Sequence, residues 1–143
     1  GWHLQLQQDG RDLPGREAAL LPLARAGRLV IDHTGKFLVP VPPEHPAFLS
    51  LRRLVDAGAY VKLSAPYETS VTGAPAFADV AALERILVAQ APARMLWATN
   101  WPHPGHGGTD DRMMLDWRGE RASDEAVRRR ILVDNPARLY RFN

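Results

Sequence analysis

Residues 59–64, AYVKLS, decide the fold class. Tyr60, Lys62 and Ser64 fall on one face, while Ala59, Val61 and Leu63 fall on the other. That period of two predicts a strand with one apolar face and one face bearing groups that can do chemistry. The same division runs through residues 2–7, where Trp2, Leu4 and Leu6 oppose His3, Gln5 and Gln7. RLVIDH (28–33) is a short β-branched strand ending in His33, and ARMLWATN (93–100) is a strand ending in Asn100. Strands buried on both sides in an open parallel sheet read as nearly continuous apolar runs. Here the polar groups instead gather towards the strand C-termini, the rim on which barrel catalytic residues sit. A sheet with one wet face is the plainer reading of the same alternation.

Helical segments separate these strands. REAALLPLARA (16–26) is rich in Ala and Leu, has Pro22 as a defect, and is followed by Gly27, which suits a helix end. Residues 34–46 carry too many prolines for regular structure. Pro46 opens a helix over 47–58 that aligns Phe48, Leu51, Leu54 and Val55 and closes at Gly58. An irregular stretch (65–77) leads to Asp79 as an N-cap, with a helix over 80–91. A Gly/Pro/His loop fills 101–111. Ser123, Asp124 and Glu125 begin a helix running to Asp134, and Asn135-Pro136 caps a last short helix over 137–142.

Alternation of strand and helix implies parallel strands joined by right-handed crossovers. Either an open doubly wound sheet or a piece of a barrel satisfies it. No glycine-rich phosphate loop follows any strand, which removes the usual nucleotide-binding signature. A full (β/α)8 barrel takes about 250 residues, and four strands cannot close one. The predicted fold is therefore α/β: a partial (β/α)8 TIM barrel, one domain over residues 1–143, with about four parallel strands and flanking helices. The chain opens inside a strand without an initiator Met, so the N-terminal strands are expected upstream.

Composition narrows the function classes. The 143 residues are 45% hydrophobic and 24% charged, which suits a domain with a real core and not a disordered chain. With 18 Lys and Arg against 16 Asp and Glu, the formal charge is +2, no general field for nucleic acid. Arg128, Arg129 and Arg130 read as a solvated helix face. The sequence has no cysteine, hence no disulfide and no thiolate metal site, and a cytoplasmic setting is expected. No apolar stretch approaches the ~18 residues that cross a bilayer, so no membrane partner is expected.

Five segments taken together, GWHLQLQ, LVIDHTGK, YVKLSAPYETS, LWATNWPHP and ILVDNPARLYRF, resemble the C-terminal half of an amidohydrolase-superfamily barrel. The nearest branch is amidohydrolase-2, which includes lactonases of 2-pyrone-4,6-dicarboxylate. The resemblance runs from Trp2 to Phe142. It implies a hydrolase acting on a lactone or related cyclic carbonyl compound bearing carboxylates. The family's first strand carries a His-x-His pair that this chain lacks.

What the resemblance implies for single residues follows. The position of His33 is a metal ligand or a group polarising the substrate carbonyl. A neutral imidazole at a strand rim can do either, or can merely bond a loop carbonyl. Asn100 stands where the family usually has an Asp that takes the proton from water. An amide has no such basicity, so Asn100 would orient water or substrate, and His103 is the nearest substitute base. Lys62 suits a substrate carboxylate, with Tyr67 and Ser64 as further contacts. The lactonase pattern often places an Arg shortly after this strand, whereas Glu68 follows Tyr67 here, which counts against a dicarboxylated pyrone. His3 lies inside the barrel beneath the site, as a substrate contact or an interior hydrogen bond. His103 and His106 sit three apart in a loop that otherwise reads as surface, and His45 between prolines reads as structural. A divalent metal such as zinc is the only cofactor suggested, and His33 is its candidate ligand.

Two other readings stand beside the lactone hydrolase. A Zn-dependent decarboxylase of the same superfamily would need the His-x-His pair and an acid at Asn100. A non-catalytic truncated half-barrel would self-associate through its exposed sheet edge.

Overall fold

A computed structural model describes residues 1–119 and 124–142, with backbone alone for 116–119. Its core is a four-stranded sheet in the order β1 (Leu4–Leu6), β2 (Leu29–Ile31), β3 (Tyr60–Leu63) and β4 (Met95–Trp97). Every pairing is parallel, with Leu4 opposite Leu29, Val30 opposite Tyr60 and Val61 opposite Met95. Sequential order with helical crossovers is the geometry of a barrel arc, because each new strand is laid beside the last in the same direction.

The helices are α1 (Leu13–Arg25), α2 (Pro46–Ala57), α3 (Ala78–Gln90), α4 (Asp111–Gly119), α5 (Glu125–Arg129) and α6 (Asn135–Tyr140). The main core lies between the sheet and its outer helices, where Leu29, Ile31, Val61, Leu63 and Met95 meet Leu13, Phe48, Leu51, Leu54 and Leu87. The inner face holds a smaller cluster of Val30, Tyr60 and Leu96, against which Leu139 packs. Phe142, which follows α6, is 68% exposed.

Several boundaries differ from the sequence reading. α1 begins at Leu13, with Pro14 in its first turn where a missing N–H costs nothing. α3 starts after Phe77 in a left-handed conformation, so Asp79 lies in the first turn and is not the N-cap. Its carboxylate instead accepts from Val71 N, Val80 N, Ser70 Oγ and Thr72 Oγ1, pinning the β3–α3 loop to the helix. α4 was read as loop up to Asp111 and left unassigned beyond it. Asp110 caps it by accepting from Arg112 N at 2.8 Å, and Met114 packs on Phe77, Val80 and Ala81. Asp124 caps α5, and Ser123 lies outside the described residues.

Asn135 is not a cap either. A π-helical turn over Arg130–Asp134 joins α5 to α6 without a break, which lets Pro136 enter a continuing helix. The buried Asn135 side chain donates both its N–H groups, to Pro92 O at 2.8 Å and Met95 O at 2.7 Å. It thereby ties the last helix to the start of β4.

Candidate functional site at the strand C-termini

The chain leaves β2 through a run of left-handed backbone: φ is 52° at His33, 55° at Thr34 and 47° at Lys36. For a β-branched Thr that region is unfavourable, and such strain persists where surroundings over-determine it. Three contacts do so here. Lys36 N donates to His33 O at 2.7 Å, and Thr34 Oγ1 donates to the buried carboxylate of Glu84 on α3 at 2.7 Å. The loop after β1 presses on the turn from the other side. A Cβ at Gly10 would lie 2.3 Å from Gly35 O, so only glycine permits that approach.

His33, thus held, is 6% exposed. Its Nδ1 meets Ser64 Oγ at 2.8 Å and its Nε2 meets Gln7 Nε2 at 2.8 Å. The Gln7 amide donates to Nε2, so the ring proton sits on Nδ1 and is given to Ser64. Burial pushes the His33 pKa below its usual 6.5, only partly offset by the charges of Glu68 and Asp32. The ring is neutral at physiological pH, with its Nε2 lone pair taken by the Gln7 amide.

Glu68, which follows Tyr67 just past β3, sets one carboxylate oxygen 3.9 Å from His33 Nε2. Its other oxygen pairs with Lys36 Nζ at 2.7 Å. Burial alone would raise this carboxyl, but the Lys36 hydrogen bond and the neighbouring charges outweigh it, and its pKa lies below the usual value. Asn100, at φ 65°, donates to Glu68 Oε1 at 2.9 Å and to the Tyr67 hydroxyl at 3.1 Å. Tyr67 in turn meets His103 Nδ1 at 2.8 Å, and His103 Nε2 lies 3.3 Å from Asp111 Oδ1 at the start of α4. Burial raises the Tyr67 pKa, opposed by the Asn100 hydrogen bond.

Lys62 sits on the inner face of β3 with Nζ 3.5 Å from Asp32 Oδ1. Gln5 donates to the other Asp32 oxygen at 2.9 Å. The Lys62 charge is close enough to contribute to the lowering of the His33 pKa.

The structure therefore gathers His33, Ser64, Tyr67, Asn100 and His103 on one rim, with Lys62 nearby on Asp32. It does not bring in His3. That residue precedes β1 and packs edge-on against Tyr140 at 5.5 Å, in a cleft shared with Arg28, Tyr60 and Arg138 at the strands' opposite end. His103 is buried, not a surface-loop residue, because turns at Asn100–His103 and His103–His106 fold the loop back on itself. His106 is exposed, with its ring 4.8 Å from that of Tyr67. His45 caps α2, its Nδ1 accepting from Ala47 N.

Sequence reasoning passed over Gln7, Asp32, Lys36 and Asp111 as site residues and read Glu68 only as a departure. Gln7 shares its parity with Gln5, and Asp32 adjoins His33, so both carried a signal. Asp111 carried none, since the helix that presents it went unrecognised. Among the described residues, no group of three or more His, Cys, Asp or Glu side chains is placed to hold a metal ion. His33 and Glu68 together offer two donors, too few for a closed site, so the described residues do not fit a bound metal ion.

Comparison with known proteins places this geometry. Residues 1–142 match the amidohydrolase family profile. The chain is 35% identical over 147 residues to D-galactarolactone isomerase of Agrobacterium fabrum, covering 99% of this chain and 49% of that protein. It is 31% identical over 151 residues to the 2-pyrone-4,6-dicarboxylate hydrolase of Comamonas testosteroni, covering 98% and 49%. An apo crystal structure from Agrobacterium tumefaciens superposes with a TM-score of 0.87 at 32% identity, covering 99% of this chain and 51% of that one. The chain thus spans about half the length of the curated relatives it matches, and its four strands form part of a (β/α)8 barrel. No helix among the described residues is long and apolar enough to cross a membrane. On sequence and architecture alike, the chain belongs to the amidohydrolase family.

Proposed function

We propose that the protein carrying this chain hydrolyses a lactone or a related cyclic carbonyl compound bearing a carboxylate, in the cytoplasm. Relatives named as a lactone isomerase and a pyrone hydrolase support the lactone class. The observation that carries the reading is the neutral, buried His33, fixed by Ser64 and Gln7 and facing Glu68, to which Asn100 donates. In this reading the lactone sits beside His33, which holds Ser64 in place, the amide oxygen of Asn100 holds the water, and Tyr67 contacts the ring oxygen. Lys62, whose ion pair with Asp32 is loose at 3.5 Å, turns to the substrate carboxylate. Water oxygen bonds to the carbonyl carbon, the ring C–O bond breaks, and the proton lost by water ends on the released alkoxide. The product is an open hydroxy acid.

The test is hydrolysis of a lactone panel, with and without carboxylates, followed by acid release. The parent should act on at least one member, and His33→Ala should lower kcat/KM by about 100-fold. A variant as fast as the parent overturns the role of His33. The decarboxylase reading is not favoured, since Asn100 offers no carboxylate where that chemistry would need one.

A further inference from the structure

Asn100 leaves the proposed hydrolysis without a base at the strand-four position, and the groups around it supply one. We propose that Tyr67, His103 and Asp111 form a proton relay, in which the Tyr67 hydroxyl exchanges protons with water and leaving group while His103 holds the spare proton. The inference rests on the hydrolytic reading of the same site.

Three geometric facts carry it. The His103 ring is 8% exposed and bridges two oxygen atoms, Tyr67 OH at 2.8 Å on Nδ1 and Asp111 Oδ1 at 3.3 Å on Nε2. The Asp111 oxygen facing the ring is buried, with no hydrogen-bond partner among the described residues, while the side chain as a whole is 46% exposed. The relay places the proton on Nε2, next to the carboxylate 3.3 Å away, and leaves Nδ1 bare. Tyr67 must then donate to Nδ1, and its oxygen lone pairs face outward, one of them accepting from Asn100 at 3.1 Å. Tyr67 also borders open space: its ring forms a wall of a cleft of roughly 390 Å³ with Phe77, His106, Gly107, Gly108 and Met113, a cleft that His33, Lys62 and Asn100 do not line.

The proton count closes. As water attacks the lactone carbon, the Tyr67 oxygen takes the water proton while its own proton passes to His103 Nδ1. This gives an imidazolium beside Asp111 and an oxyanion on the substrate. When the ring C–O bond breaks, Tyr67 gives a proton to the departing alkoxide and regains one from Nδ1. Tyr67 is the catalytic residue because it touches substrate, whereas Asp111 acts only through His103 as a positioning residue.

Two measurements test the relay. On the chain labelled with ¹⁵N-histidine, His103 should show the neutral tautomer protonated on Nε2, and Asp111→Ala should shift it towards a mixture. A ring protonated on Nδ1, or a tautomer indifferent to Asp111→Ala, overturns the proposal. On the lactone found by the panel, Tyr67→Phe and His103→Ala should lower kcat about 100-fold with KM within about three-fold, and Asp111→Asn should lower kcat about ten-fold. A loss confined to KM assigns these residues to binding and overturns the relay. If Tyr67→Phe keeps the parent rate while His33→Ala loses it, the relay fails and the hydrolase reading stands. A parent inactive on every lactone sinks both.

Discussion

Lys36 and Glu68 illustrate how single side chains set the chemistry of the rim. The ammonium 2.7 Å from Glu68 is a main reason that its carboxyl stays ionised despite burial. Lys36→Met should therefore raise the Glu68 pKa, read by carbon NMR of the labelled carboxylate, since burial then acts with less opposition. His33 works in the opposite sense. The fold favours the neutral ring, so the unfolded chain takes up the proton first as pH falls through 6.5. Global stability should decline on acidification through that value, and His33→Gln should flatten the decline in denaturant titrations at several pH values. At this scale the sequence was informative wherever a residue sat on a strand. His33, Ser64, Lys62 and Asn100 were placed by parity or by position at a strand end. The partners of Asn100 and Tyr67 depend on left-handed backbone at Asn100 and His103, which no hydrophobic period announces. For His3, parity gives a face and not a height: it lies just before β1, a strand's length from the rim.

Elements hold this rim through a few specific ties. Asn135 donates two buried hydrogen bonds from α6 to the segment entering β4. Asn135→Ala would strand two carbonyls, and a loss of about 2–4 kcal/mol in urea unfolding is expected. Glu17 on α1 binds Arg53 of α2 through two hydrogen bonds and accepts a third from Ser50, which lowers its pKa to about 2. A carboxylate with a depressed folded pKa stabilises above its unfolded value of 4.5, and that gain is lost as pH falls towards 2. Because Arg53 is half exposed, Glu17→Gln should cost about 1 kcal/mol at neutral pH, with parent and variant converging near pH 2. The helices α1 to α3 were legible because long apolar stripes announce them. α4 was not, since Met113 and Met114 are too few to set a period and its cap, Asp110, sits behind a run of glycines.

At the largest scale, the described strands form an open arc. β1 and β4 each pair on one side only among the described residues, and Leu4 of β1 is 41% exposed and Trp2 just before it 93%. Unpaired edges invite other strands. We therefore expect the isolated 143-residue chain to give a light-scattering mass above its 15.9 kDa, and Leu4→Lys to shift it towards monomer. A monomer at all concentrations would refute this. The strand order, parallel throughout and read correctly from the alternation of elements, also governs how the rim responds to disturbance. Gln5 and Gln7 reach Asp32 and His33, His33 reaches Ser64 and Glu68, and Tyr67 and Glu68 reach Asn100 and His103. Along the rim each unit grips the next, like links of a fastening, while α6 braces the opposite end against His3, Val30, Tyr60 and Leu96. Amide exchange should accordingly travel as a sequence of neighbourly openings, and the unit most easily prised loose would decide how long the others stay engaged.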